Sequence, residues 1–128
     1  MTARRALGAG LALAWGLSTV HAASPIVDIR WDDQGRFVHE ASIAPGKFLE
    51  VCGALQPGQS IDWSYQSAAA LPFNIHYHQG ADTVYPVQLK AAQAAQTLKV
   101  SAEQAHCWMW TNKSTEAVRV SVSLRRAR

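Results

Sequence analysis

From Asp28 to the C-terminus, apolar and polar residues alternate with a period of two, and no segment keeps helical spacing over a useful length. Because successive side chains of a strand point to opposite faces, this alternation predicts strands that are buried on one face. Clusters of Gly, Pro, Asn and Ser interrupt the alternation at short intervals, as is typical of turns. The predicted strands are IVDIRW, FVHEASI, KFLEVCG, SIDWSY, LPFNIHYH, TVYPVQL, TLKVSAE, HCWMWTN and AVRVSVSLR.

Short, regularly spaced strands favour an all-β fold, and we expect a two-sheet antiparallel β-sandwich of about seven or eight strands with one inter-strand disulfide. The alanine- and glutamine-rich segment KAAQAAQ, residues 90–96, lacks both an apolar stripe and a clear alternation. We predict that this segment is a loop.

The N-terminus has the order of a secretory signal peptide. Arg4 and Arg5 precede an apolar run over residues 6–17, and a pattern typical of a cleavage site follows at Val20-His21-Ala22. The run is too short to span a bilayer, so we predict cleavage after Ala22 rather than a retained membrane anchor. The expected organisation is a signal peptide over residues 1–22 and a single periplasmic or secreted domain over residues 23–128.

The basic character of the chain belongs largely to this leader. Loss of Arg4 and Arg5 leaves ten basic residues of the original twelve against nine acidic ones, a net charge of +1 instead of +3. Three of the ten lie in the C-terminal segment RRAR, residues 125–128. The body of the domain therefore offers no basic stripe for nucleic acid.

Alternation also predicts which polar side chains share an exposed face. In three of the predicted strands, large apolar residues occupy one face. The side chains expected on the opposite faces are Glu50 and Cys52 in KFLEVCG, Asn74, His76 and His78 in LPFNIHYH, and Cys107 and Met109 in HCWMWTN.

The two cysteines, Cys52 and Cys107, are the only ones in the chain. An exported protein with an even number of cysteines and no CxxC motif is expected to pair them. Closing a loop of this length should constrain the unfolded chain by roughly 4 kcal/mol. The alternative is a reduced pair of thiolates that binds a soft metal such as Cu(I) or Zn(II).

His76 and His78 raise the question of a metal site. Residues two apart in a strand place their side chains on one face, about 6.6 Å apart along the chain, so two imidazoles could converge on one ion. The pattern is similar to the H-x-H of carbonic anhydrases and cupins, which need a third ligand. His106, Met109, Glu103 and His39 are the candidates here.

Methionine as the third ligand would favour copper, and a carboxylate would favour zinc. The alternative interpretation is that one histidine takes part in a hydrogen-bond network while the other is exposed to solvent. A blue-copper site is excluded by spacing, because no histidine follows Cys107.

Several segments together resemble the GOLD domain of the p24 (emp24/gp25L) proteins. They are LEVCG (residues 49–53), SIDWSY (60–65), LPFNI (71–75), HCWMWTNKS (106–114) and the last valine-rich strand. The resemblance implies a β-sandwich in which Cys52 pairs with Cys107 and a turn forms at Asn112. The final strand ends close to Arg128, so the membrane helix and cytosolic tail of p24 proteins are not expected. Their role in vesicle traffic is therefore not carried over.

No catalytic constellation accompanies the serines and histidines: there is no G-x-S-x-G elbow, H-E-x-x-H helix or phosphate-binding glycine loop. Exposed aromatic residues could offer a platform for carbohydrate or peptide, although most should be buried. We therefore expect a non-catalytic, exported binding protein. The first hypothesis for what it binds is copper or zinc, at a site formed by His76, His78, His106 and Met109. The alternative is a GOLD-like module that binds another envelope protein, with incidental histidines.

Overall fold

The computed structural model describes residues 10, 12–16 and 25–127. Within that part of the chain it contains seven strands, which confirms the predicted all-β fold. They are β1 (Ile26–Asp28), β2 (Arg36–Ile43), β3 (Phe48–Leu55), β4 (Ser60–Gln79), β5 (Asp82–Lys99), β6 (Gln104–Thr111) and β7 (Val118–Arg126). The predicted cleavage site of the signal peptide at Ala22 lies outside the described residues. No helix among the described residues has the length and apolarity needed to cross a membrane.

Hydrogen bonds join all seven strands into one sheet with the order β1-β3-β6-β4-β7-β2, and β5 pairs with β4 outside this path. The pairing of β1 with β3 is parallel. All other pairings in the sheet are antiparallel, as predicted. The sheet is therefore mixed only at the short strand β1.

The two longest strands form a hairpin that bends and joins two facing layers. The pairing of β4 with β5 shifts in register between Gln66 and Leu71. Before this bend β4 pairs with β7, and after it β4 pairs with β6. We call β2, β7, the first half of β4 and the second half of β5 the front layer. The back layer consists of β1, β3, β6, the second half of β4 and the first half of β5.

The hairpin differs from the prediction, which divided it into shorter strands. SIDWSY and LPFNIHYH belong to the single strand β4, and KAAQAAQ lies inside β5 rather than in a loop. The alanines and glutamines have little strand preference of their own. They are held extended because most of them pair with β4 on the two sides of the register shift, and the Tyr65 hydroxyl donates a hydrogen bond to the carbonyl oxygen of Ala91, at 3.1 Å.

The space between the layers is filled by one hydrophobic core with an aromatic centre. Trp63 and Phe73, from the two halves of β4, have ring centroids 5.1 Å apart. Tyr65 of the front layer meets Trp110 of the back layer edge to face at 5.4 Å. Such pairs contribute about 0.5–1.5 kcal/mol beyond their buried area. The inward positions are those that the alternation predicts, so strand pattern determines the core.

Candidate functional sites

The disulfide lies on the outer face of the back layer, where it cross-links β3 to β6. Cys52 and Cys107 are directly opposite each other in the register, with Cα atoms 4.1 Å apart. The predicted pairing is therefore confirmed, and the alternative of two free thiolates does not describe this state of the chain. Both residues are half-buried.

His76 lies next to the disulfide on the same face, opposite Cys107 in the pairing of β4 with β6. Its Nδ1 is 2.7 Å from the side-chain oxygen of Asn74. A carbonyl oxygen can only accept, so Nδ1 carries the proton and donates it to this hydrogen bond. Nε2 then carries the lone pair of the neutral ring, and it faces the carboxylate oxygen Oε1 of Glu50 at 3.6 Å.

The protonation of His76 is set by opposing effects. Burial, which leaves only 6% of the residue exposed, is the main cause that lowers its pKa below the ordinary value. The negative charge of Glu50 acts in the opposite direction and raises the pKa, while the neighbouring His78 lowers it. Burial therefore outweighs the attraction of Glu50, whose Oε1 lies 3.6 Å from Nε2, in its effect on the pKa of His76.

His78 shares this face, as predicted from the spacing. Its ring and that of His76 are 5.4 Å apart and nearly perpendicular. The environments of the two rings differ, because His78 is exposed and its Nδ1 lies 3.3 Å from the hydroxyl of Thr83. The exposed Tyr85 covers His76 from the neighbouring strand, at 5.8 Å between ring centroids.

His106 does not join the two histidines. It is opposite Tyr77 in the register and is 1% exposed, so it lies on the inner face of the back layer. Its ring packs against Tyr77, and Nδ1 donates to the carbonyl oxygen of Gln104 at 2.8 Å. Burial lowers its pKa, which the Gln104 carbonyl partly offsets. The four residues named from the sequence therefore do not meet around one ion.

The other candidate ligands are divided among different places. Met109 is on the outer face of the back layer, opposite both Glu50 and Asn74 in the register. His39 belongs to β2 of the front layer and stacks on Phe37. Glu103 accepts a hydrogen bond from Gln56.

A different group of metal-ligating side chains occurs around the disulfide. Within the described ranges, the one group of three or more His, Cys, Asp or Glu ligand atoms that lie within 4.8 Å of one another is Glu50, Cys52 and Cys107. His76 Nε2 is 3.6 Å from Glu50 Oε1, but His76 does not belong to this group, because its ring nitrogens do not lie within 4.8 Å of all three ligand atoms. In the oxidised chain the two sulfurs are bonded to each other, so Glu50 is the one available donor of this group.

Sequence reasoning placed Glu50 beside Cys52 and Asn74 beside His76 but assigned no role to either. The signal was present, since Glu50 and Asn74 each lie two residues before a candidate ligand in an alternating strand. The same rule predicts that His106, two residues before Trp108, turns inward with it.

The outer face of the front layer carries a second candidate site, a shallow depression with a volume of about 700 Å³. Part of its floor is small and exposed, and this part consists of Ser64 of β4, Ala95 of β5, and Ser121 and Ser123 of β7. The longer side chains of Gln66 and Gln93 also line the depression. We call this surface the front-layer depression.

The rim of the front-layer depression is larger and partly charged. Val38 is 73% exposed and presents an aliphatic side chain to solvent. Glu40 forms an ion pair with Arg119, whose hydrogen bond lowers the pKa of the carboxyl group. Asp62 and Arg125 form a second ion pair beside the adjoining groove. A surface with a small-residue floor and a polar rim can receive a projecting side chain from a partner.

No protein-family model matches the sequence, and no curated protein matches it either. Solved structures do match. The chain is similar to PliG of Aeromonas hydrophila, a periplasmic lysozyme inhibitor of g-type lysozyme, with a TM-score of 0.61 and 14% identity, covering 80% of this chain and 96% of that one. It is similar to PliG of Salmonella Typhimurium with a TM-score of 0.59 and 14% identity, covering 82% and 100%.

A third structure, the Yersinia pseudotuberculosis-derived mitogen, matches with a TM-score of 0.56 and 11% identity, covering 70% of this chain and 84% of that one. At these identities the likeness concerns the fold. All three matches extend over most of the other protein, so the chain shares a whole architecture with them rather than one motif.

The comparisons correct the resemblance to GOLD domains, which was wrong. The neighbours in structure are PliG inhibitors, not p24 domains. The quoted segments are single strands with a flanking turn, and an alternating strand beside a turn occurs in many β-folds. The order of these segments therefore reflects a common succession of strands and turns and does not identify the GOLD family.

Proposed function

We propose that this chain is an exported, non-catalytic protein that binds another protein, and that its partner is a glycosidase of the g-type lysozyme class. The observation that carries the proposal is the extent of the fold likeness, which covers 96% and 100% of two inhibitors of such enzymes. Both are periplasmic, which agrees with the exported location predicted from the leader. A fold hosts many functions, so the proposal also needs a suitable surface.

The front-layer depression is the surface that we assign to the partner. Serine and alanine side chains have little rotamer entropy to lose when they are covered, and they allow close approach to the backbone of the sheet. The exposed Val38 provides an apolar contact at the edge. The neighbouring ion pairs provide a polar rim, which is the usual arrangement of a protein interface.

The copper or zinc site first expected at His76, His78, His106 and Met109 is not proposed in that form. His106 is on the opposite face of the sheet from His76, because His106 pairs with Tyr77, the residue next to His76, and adjacent residues of a strand point to opposite faces. His78 is exposed, and its Nδ1 is in hydrogen-bond contact with the hydroxyl of Thr83.

The test is an inhibition assay with the chain purified after export. We expect it to slow the lysis of cell-wall suspensions by a g-type lysozyme and to leave a lysozyme of the c type unaffected. Ser123→Arg, which fills the floor of the depression, should abolish inhibition. Ser101→Arg, on the exposed loop between β5 and β6, is the matched control and should retain it. Absence of inhibition by the wild-type chain would refute the assignment to g-type lysozyme.

A further inference from the structure

The strand β5 is an open edge of both layers. It pairs with β4 along both of its halves, and within the described ranges no other strand pairs with it. The free side of an edge strand presents unpaired N–H and C=O groups, which another extended segment can bind. With 18 residues, β5 is much the longest edge of the sheet.

The other edges carry features that discourage pairing with another chain. The strand β1 has only three residues, and β2 carries the exposed charges of Arg36 and Glu40. The first half of β5 has a register shift in its pairing with β4 and contains Pro86, which lacks an N–H. Short strands, charges, bulges and proline are the usual means of protecting an edge. Residues 91–98 of β5 contain neither a charge nor a proline.

The hydrophobic core is incompletely covered at this edge. Val87, Leu89 and Ala94 of β5 are only partly buried, although they pack against the core. Each is directly opposite a fully buried residue of β4. A further strand along β5 would cover the exposed parts of these side chains, and burial of apolar area favours association.

The side-chain directions along β5 are symmetric about its bend. Ala91 and Ala94 are each directly opposite a buried residue of β4, so both face the core. Ala92 and Gln93 lie between them and are exposed. Counted away from this central pair in either direction, inward and outward positions follow in the same order. An interface between two identical copies needs such self-complementarity.

A second copy related by a two-fold axis between Ala92 and Gln93 fits this pattern in antiparallel pairing. Ala91 is then opposite Ala94 of the second copy, and both face inward. Lys90 is opposite the small Ala95 of the second copy. The two Lys90 residues are five positions apart along the paired strands, about 17 Å, so no like charges meet.

We propose that the chain forms a symmetric dimer in which residues 87–98 of β5 pair antiparallel with the same residues of a second copy. The two front layers then make one continuous sheet across the two-fold axis. The edges left at its ends are protected, so association stops at two copies. The pairing uses backbone groups of the edge and leaves the outer face of the front layer open. The dimer is therefore independent of the proposed binding of lysozyme.

Sedimentation equilibrium of the exported chain at several concentrations tests the proposal. We expect the wild-type chain to have the mass of a dimer. Gln93→Lys should raise the dissociation constant by more than about tenfold, because two lysines then lie beside the two-fold axis. Gln93→Glu should weaken the dimer in the same way. An equimolar mixture of the two variants should restore dimers, since opposite charges then face each other.

The matched control is Gln66→Lys. Gln66 is the register partner of Gln93 on β4 and is also exposed, so the variant carries the same charge on the same face. In the dimer the two copies of this residue are three strand spacings apart, about 14 Å. That distance exceeds the Debye length of about 8 Å at physiological ionic strength. The control should therefore remain a dimer.

Four results would overturn the proposal. A wild-type chain that is monomeric even at about 1 mM would show that the edge does not pair. A dimer that Gln93→Lys leaves unchanged would use another surface, as would one that Gln66→Lys weakens equally. A mixture of Gln93→Lys and Gln93→Glu that stays monomeric would show that these positions do not meet.

Discussion

The side-chain nitrogen of Asn112 donates a hydrogen bond to the carbonyl oxygen of Ile43, at 2.9 Å and across 69 positions of sequence. The same nitrogen donates to the carbonyl oxygen of Glu116 at 2.7 Å, and the side-chain oxygen accepts from the backbone and hydroxyl of Ser114. This one buried amide connects the end of β2 with the loop between β6 and β7. It therefore joins the front layer to the back layer outside the hydrophobic core.

Replacing Asn112 should destabilise the fold without changing the candidate sites. Asn112→Ala leaves the Ile43 carbonyl without its buried partner, and a buried orphan costs about 1–3 kcal/mol, whereas Ser114 is exposed and water can replace the lost partner there. We expect the free energy of unfolding in urea to fall by about 1–3 kcal/mol. Lys113→Ala, at the exposed neighbouring position, is the control and should change it little. Equal stability of both variants would contradict this role.

Removing the disulfide should cost stability chiefly through the unfolded chain. Cys52 and Cys107 are 55 positions apart, and the loop-closure model assigns about 4 kcal/mol to a cross-link of that span. The Cys52→Ala/Cys107→Ala double variant should show this loss in urea unfolding and still fold, since the core lies on the other face of the strands. A double variant as stable as the wild-type chain would indicate that the bond does little to constrain the unfolded state.

The buried indoles should tolerate phenylalanine better than their size suggests. The N–H groups of Trp63, Trp108 and Trp110 are buried without a hydrogen-bond partner among the described residues. Trp110→Phe removes an unsatisfied donor together with part of the ring, so the two effects partly cancel. We expect a loss below about 2 kcal/mol for this variant, against about 3–5 kcal/mol for Trp110→Ala. Similar losses in the two variants would show that the donor has a partner in solution.

His106 should make stability depend on pH above the range where carboxylates titrate. Burial lowers its pKa in the folded chain, so the unfolded chain takes up a proton first as the pH falls. The stability that neutral His106 contributes is fully present above the pKa of histidine in the unfolded chain, about 6.5. It is lost as the pH falls from there toward the pKa of His106 in the folded chain. The melting temperature should therefore decrease between neutral pH and about pH 5, and less steeply in His106→Phe. His76, whose pKa is also lowered, accounts for part of the remaining slope.

Much of the core and of the outer face of the back layer can be predicted from the alternation of apolar and polar residues alone. It places Trp108 and Trp110 inward and turns Cys107 and Met109 outward, as the burial pattern of β6 confirms. It also puts His76 and His78 on one face. These results need only the period of a strand, because a side chain's direction is decided by its parity relative to buried neighbours.

The long hairpin and its bend could not be predicted in this way. Residues 67–70 contain no large apolar side chain, so nothing in them indicates that β4 continues. Ser67 pairs with Val120 of β7, and residues 68–70 form the register shift between the two halves of β4, so their conformation is a tertiary effect. The contact of His76 with Glu50 is hidden for the same reason, since it depends on which strands become neighbours.

The most direct test of the account is a binding measurement between the exported chain and a g-type lysozyme by titration calorimetry. We predict a one-to-one complex that Ser123→Arg abolishes and that Ser101→Arg and His76→Ala leave intact, because the partner covers the front layer. Absence of heat of binding for the wild-type chain, or a complex that Ser123→Arg leaves unchanged while His76→Ala destroys it, would contradict the account.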